Sequence, residues 1–233
     1  MNSLWKFLIA ACVVFVAYHW AFGLKKLNSN APIQLEYIEK IYGSPSTKNL
    51  PMIFVFHGTG TNEKDMLPIF QKLSLPLRVI SFRGPINRGL GGYTWPKDPA
   101  LYQSIAEAAN ELVHRYLTVG KPILFGFSAG GNVIYEVLSH QPDLYDAAFI
   151  ISGPPGGAFN SPTFSSSEST LPLFIYHGTQ DQVVPLINVK GFLKTLEGTH
   201  FKVQWYEFEG GHGFTPELYE KIKTDLAGLI NQN

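Results

Sequence analysis

The stretch Ile123-Leu124-Phe125-Gly126-Phe127-Ser128-Ala129-Gly130-Gly131 decides how the rest of the chain is read. Three apolar residues of strand character lead into Gly-x-Ser-x-Gly. A helical pattern follows, with Val133, Ile134, Val137 and Leu138 at helical spacing. A serine between such a strand and such a helix sits on a sharp turn that pushes its hydroxyl out of the sheet edge. Side chains two positions to either side would collide there, so Gly126 and Gly130 fit the turn. The N–H of Ala129 then lies at a helix N-terminus, where partial positive charge favours an oxyanion.

Working outward, short apolar runs predict further strands at Ile33–Tyr42, Met52–Phe56, Arg78–Phe82, Ala147–Ile151, Leu173–Tyr176 and Val203–Phe208. Continuous apolar runs of this length are how strands buried on both faces read. Between them, helical spacing recurs at Leu101, Ile105, Ala108, Leu112 and Tyr116, after the cap-like pair Asp98-Pro99. It recurs again at Val189, Phe192, Leu193 and Leu196, and at Leu218, Ile222, Leu226 and Leu229 after Thr215-Pro216. Strands alternating with helices predict an α/β fold: a mainly parallel central sheet of about seven strands with helices on both faces. Gly156–Thr170, rich in Ser and Gly with Phe159 and Phe164 embedded, is the one low-complexity patch.

A serine hydroxyl needs a base to take its proton. Of the seven histidines, His19 lies in an apolar leader, while His114 and His140 sit in or beside helical patterns. His200 falls in a turn, and His57 and His177 each follow a strand and precede glycine, which suits a loop-fixing role. His212 lies in Gly210-Gly211-His212-Gly213, between the last strand and the last helix. There the imidazole is free to reach across the sheet edge, so His212 is the expected base. Asp181, five residues past the Leu173–Tyr176 strand, is the expected acid that orients it. Asp143, Asp146 and Asp225 flank or sit in helices and read as surface or capping residues. The second oxyanion donor is expected in Phe54-Val55-Phe56-His57-Gly58-Thr59-Gly60, at the N–H of Thr59 first and Gly60 second.

Composition bounds the partners. Of 233 residues, 45 % are apolar and 14 % aromatic, which supports one sizeable core. Lys+Arg and Asp+Glu balance at 18 each, which argues against nucleic acid. The single cysteine, Cys12, excludes an intrachain disulfide framework and a thiolate metal cluster. No cofactor or metal is expected.

Residues 1–30 read apart from the domain expected over 31–233. Phe7–Leu24 is an uncharged apolar run; as a helix it would span about 27 Å, close to the thickness of a bilayer's hydrocarbon core. Trp20 and Lys25-Lys26 read as interfacial anchors. The first expectation is a membrane protein held by a single-pass N-terminal helix. The second is a cleaved signal peptide with a site at Ala21-Phe22-Gly23 and a secreted or periplasmic product, and the third a buried helix. Ser29-Asn30-Ala31-Pro32 reads as a linker.

Together these pieces resemble the phospholipase/carboxylesterase family of α/β-hydrolases, which includes acyl-protein thioesterases and small bacterial carboxylesterases. The resemblance rests on His57–Pro68, on Arg83-Gly84-Pro85 with Gly91-Gly92-Tyr93-Thr94-Trp95, on Gly126–Gly131, on Gly178–Asp181 and on Gly211-His212-Gly213, and runs from about Ile33 to Ile230. The order Ser128, Asp181, His212 is the one α/β-hydrolases use. The resemblance implies a compact fold without a large cap domain. It also implies metal-free hydrolysis of a small-molecule or lipid-like ester through an acyl-enzyme. By position it makes Ser128 the nucleophile, Asp181 the acid, His212 the base, and the N–H groups of Thr59 and Ala129 the oxyanion hole. Acyl-protein thioesterases usually carry Gln where this chain has Ala129, and the apolar leader is unusual for cytosolic members. Tyr93, Trp95 and Phe159 are expected to line an apolar substrate pocket, with a packing role as the alternative. Thioester, peptide or lactone hydrolysis by the same three residues, a catalytically silent binding module, and a metal site on His57, His177 and Asp181 complete the alternatives.

Overall fold

The computed structural model describes residues 24–26, 33–43, 50–116, 120–155 and 168–231. Among these, eight strands form one sheet: β1 (Lys25–Lys26), β2 (Glu36–Tyr42), β3 (Met52–Phe56), β4 (Leu77–Arg83), β7 (Ile123–Phe127), β8 (Ala147–Ile151), β9 (Pro172–Gly178) and β10 (Lys202–Phe208). Their order across the sheet is β1-β2-β4-β3-β7-β8-β9-β10. All neighbouring pairs from β4 to β10 are parallel, whereas β2 runs antiparallel to β4 and β1 antiparallel to β2. A separate hairpin joins β5 (Ile86–Gly89) to β6 (Gly92–Thr94).

Five helices cover the sheet within the described residues: α1 (Leu67–Leu73), α2 (Pro99–Tyr116), α3 (Ala129–His140), α4 (Leu186–Leu196) and α5 (Pro216–Ile230). Alternation along each strand splits the core in two. On β3, Met52, Phe54 and Phe56 pack on one face with Ile105 of α2, Val133 of α3 and Val189 of α4. Ile53 and Val55 pack on the other with Phe70 of α1 and Ile222 of α5. All five β3 side chains are buried, and each such large apolar side chain contributes roughly 1.5–3 kcal/mol. The caps act as their residue types dictate: Asp98 Oδ1 accepts from the Ala100 N–H at 2.9 Å, and Thr215 Oγ1 from the Leu218 N–H at 3.2 Å.

The strand order places the site. From β3 the chain moves to β4 on one side; from β7 it moves to β8 on the other. The order therefore reverses between adjacent β3 and β7, opening a crevice beyond their carboxyl ends where open α/β sheets bind ligands.

Three features depart from expectation. The seven-residue α1 and the β5–β6 hairpin carry too little periodicity to stand out in the sequence. Lys25 and Lys26 are not interfacial anchors but strand residues on the sheet edge, with Lys25 paired to Glu39 and Lys26 to Glu36. The sheet thus begins before residue 31. The single-pass anchor is corrected as well: no helix among the described residues is long and apolar enough to cross a membrane. Residues 7–23, which carried both the anchor and the signal-peptide readings, lie outside the described residues, as does the whole of the 29–32 linker.

Candidate active site

Ser128 stands between β7 and α3 with φ 52° and ψ −120°. This backbone conformation costs a non-glycine residue on the order of 1–3 kcal/mol, so its surroundings must hold it there. They do so by close backbone contact. The Ser128 N–H donates to the Ile151 carbonyl at 2.9 Å, and the Gly131 N–H to the Ser128 carbonyl at 2.8 Å. A Cβ on Gly126 would lie 2.5 Å from the Gly130 carbonyl oxygen, and one on Gly130 would run into the carbonyls of Phe56 and His57. The two glycines are thus required by the approach of neighbouring backbone.

Asp181 and His212 come from the loops after β9 and β10, which are stitched together. The Thr179 N–H donates to the Phe208 carbonyl at 2.9 Å and the Gln180 N–H to the Gly210 carbonyl at 2.8 Å. His212 reaches both partners from there: Nε2 lies 2.9 Å from Ser128 Oγ and Nδ1 lies 2.7 Å from Asp181 Oδ2. Three residues that are distant in sequence thus meet in one hydrogen-bonded line. Ser128 and His212 are half-buried and Asp181 is buried. Burial alone would raise the Asp181 carboxyl. The Val184 and Val183 amides and the bond to His212 outweigh it and hold the carboxyl below the usual range. A carboxylate in this position is an acceptor for His212 Nδ1–H, which leaves Nε2 free to accept from the serine.

The loop after β3 packs against this turn. A Cβ on Gly58 would sit 3.4 Å from the Ser128 Cβ. The Gly60 N–H is committed to the Tyr93 carbonyl at 2.8 Å, which removes the second choice of oxyanion donor. The Thr59 N–H has no acceptor among the described residues, and its Oγ1 lies 2.8 Å from Thr94 Oγ1. Ala129 is the first residue of α3, so its N–H has no acceptor within the helix.

His57, fully buried, fixes that loop. Its Nε2 accepts from the Gly84 N–H at 2.9 Å, which places the ring proton on Nδ1, 2.7 Å from the Gly58 carbonyl. Trp95, expected in a substrate pocket, is instead core: it is 2 % exposed, and its Nε1–H donates to the His57 carbonyl at 2.8 Å. Sequence reading missed this bracing role, because nothing in the spacing of positions 57 and 95 announces it. Nor did it foresee that Arg83 holds the buried Glu63 through two bonds of 2.8 and 2.7 Å and so ties the post-β3 segment to β4. Tyr93 is half-buried and lines a cleft of about 340 Å³ together with Lys26, Glu36 and Arg83. Phe159 lies outside the described residues. The metal reading on His57, His177 and Asp181 finds no geometry, since among the described residues no three His, Cys, Asp or Glu side chains group to hold an ion.

The switched parallel sheet and the strand–turn–helix elbow define an α/β-hydrolase. The phospholipase/carboxylesterase family model matches residues 98–230, and the chain belongs to that family. No curated protein matches the chain by sequence. Among solved structures, a carboxylesterase from Mesorhizobium loti aligns with TM-score 0.73 at 19 % identity, over 88 % of this chain and 99 % of its own. A Bacillus cereus carboxylesterase aligns with TM-score 0.66 at 18 % identity, over 84 % and 94 %. Acyl-protein thioesterase 2 of Zea mays aligns with TM-score 0.67 at 20 % identity, over 82 % and 98 %. At these identities the structural likeness speaks for the fold.

Proposed function

We propose that the chain is a serine hydrolase of carboxylic esters, with Ser128 as nucleophile, His212 as general base and acid, and Asp181 as the group that orients the imidazole. The observation that carries this reading is the continuous line from Ser128 Oγ through His212 to Asp181 Oδ2, at 2.9 and 2.7 Å. Membership of the phospholipase/carboxylesterase family supports ester as the bond cleaved.

In this mechanism His212 Nε2 takes the Ser128 proton as the oxygen attacks the ester carbonyl. The tetrahedral oxyanion is held by the N–H groups of Ala129 and Thr59, one such donor supplying roughly 3–4 kcal/mol. The imidazolium, stabilised by the Asp181 carboxylate, protonates the leaving alcohol. Water then repeats the cycle on the acyl-enzyme and releases the acid.

Labelling with a fluorophosphonate probe, together with turnover of p-nitrophenyl esters of increasing acyl length, tests the assignment. Wild-type protein is expected to label at Ser128 and to turn over, and Ser128→Ala to do neither while folding normally. Ester turnover retained by Ser128→Ala overturns it.

A further inference from the structure

We propose that His177 is a positioning residue of this site: as a neutral imidazole protonated at Nε2, it braces the turn that aims the Asp181 carboxylate at His212. This rests on the roles assigned to Asp181 and His212 above.

His177 lies near the end of β9, four residues before Asp181, and is fully buried. Its Nε2 is 2.8 Å from the Val184 carbonyl. A carbonyl only accepts, so the ring proton sits on Nε2. The same residue is gripped from its other end, because the Val184 N–H donates to Asp181 Oδ1 at 2.8 Å. Asp181 Oδ1 also takes the Val183 N–H at 2.9 Å, which leaves Oδ2 for His212. The turn 181–184 is therefore clamped between the carboxylate it presents and the imidazole behind it.

The other ring nitrogen explains why the imidazole stays neutral. Nδ1 is buried and has no hydrogen-bond partner among the described residues; the same holds for Oγ of the fully buried Ser152. Ser152 follows β8 one step past the register pair Ile151↔Tyr176, as His177 follows Tyr176 on β9. The Asp181 carboxylate, whose Oδ2 is 3.5 Å from Nε2, on its own favours a second ring proton, which would make His177 a cation competing with His212 for that oxygen; burial outweighs this pull. Other charges around His177 are balanced. Glu207, its register partner on β10, is held by Lys190 of α4 at 2.8 Å and by the Trp205 Nε1–H at 3.0 Å. The Trp205 ring stacks on His177 with centroids 6.2 Å apart. Burial, the largest influence, keeps the imidazole below its ordinary pKa.

The test uses the full chain, with rates expressed per fluorophosphonate-titrated serine. His177→Leu is expected to lower kcat by roughly tenfold or more with KM within about twofold. It also moves the acidic limb of kcat/KM to lower pH, because a less well aimed carboxylate stabilises the imidazolium less. His177→Gln, whose amide N–H can still reach Val184, is expected to restore most of kcat and the wild-type limb. A structural role alone would lower the titratable fraction and leave both the rate per serine and the pH limb unmoved, and that result overturns the proposal. Selective 15N-histidine NMR of the wild-type protein needs no variant to fold. A bare Nδ1 that takes up a proton only below the ordinary histidine value of 6.5 is expected, and an Nδ1 already protonated at about pH 8 overturns the proposal. Failure of wild-type Ser128 to label defeats the hydrolase reading itself, an outcome separate from the tautomer measurement.

Discussion

His57 and Gly84, at the ends of adjacent parallel strands, are joined by a hydrogen bond of 2.9 Å from the Gly84 N–H to His57 Nε2. With Trp95 donating to the His57 carbonyl, this frames the short loop that presents the Thr59 N–H. The loop's conformation is therefore held from outside itself, by β4 and by the segment after the β5–β6 hairpin.

Trp95→Phe keeps most of the ring packing against Phe56 and removes one donor. The buried His57 carbonyl loses that partner, so stability is expected to fall by about 1–3 kcal/mol, read as a lower urea midpoint at unchanged slope. An unchanged midpoint would show that the indole N–H does not hold the loop.

Asp181→Asn leaves the side-chain shape nearly intact but presents a neutral amide to His212 Nδ1. The imidazole then loses its preferred tautomer and the partner for its charged form. Turnover of a p-nitrophenyl ester is expected to drop about 10³–10⁴-fold in kcat, with circular dichroism unchanged. A loss below tenfold would remove Asp181 from the relay.

Gly130→Ala tests the elbow's packing rather than its chemistry. The added methyl has only the Phe56 and His57 carbonyls to meet, and backbone cannot rotate away as a side chain can. Destabilisation of at least about 3 kcal/mol is expected, or failure to accumulate folded protein. Gly228→Ala, on the open side of α5, meets no neighbour and serves as the control.

Burial holds both His57 and His177 below the ordinary histidine value of 6.5. The unfolded chain therefore takes up these protons first as pH falls. Their contribution to stability is complete above about pH 6.5 and is lost as pH drops from there towards the folded values. Asp181, shifted the same way from 3.8, contributes above that value and is lost below it. Urea midpoints at about pH 8, 6.5 and 5 should decline only between the last two, and His57→Gln should flatten part of that decline. A midpoint flat from about pH 8 to about pH 5 would contradict burial as the cause.

Much of the frame was legible because local physics writes it directly. Met52–Phe56 and Ala147–Ile151 are apolar on both faces, so they read as central strands and form with those same ends. The caps at Asp98 and Thr215 and the glycine pair around Ser128 follow equally from short-range sterics and hydrogen bonding. Lys25-Lys26 misled because two lysines after an apolar run are compatible both with a bilayer interface and with carboxylates on a neighbouring strand. Only Glu36 and Glu39, brought alongside by antiparallel pairing, distinguish the two.

The sequence by itself determined the parallel α/β sheet, the strained turn at Ser128, and which histidine and aspartate stand on loops at the sheet's carboxyl edge. Only the tertiary structure decided that Trp95 braces rather than lines, that the Gly60 N–H is taken by Tyr93, and that the His177 ring lies within 3.5 Å of the Asp181 carboxylate. The reason is range. Periodicity and turn chemistry act over a few residues and are written in order along the chain. A hydrogen bond between residues 57 and 95, or 60 and 93, depends on how separate elements settle against one another, and no local pattern encodes its direction.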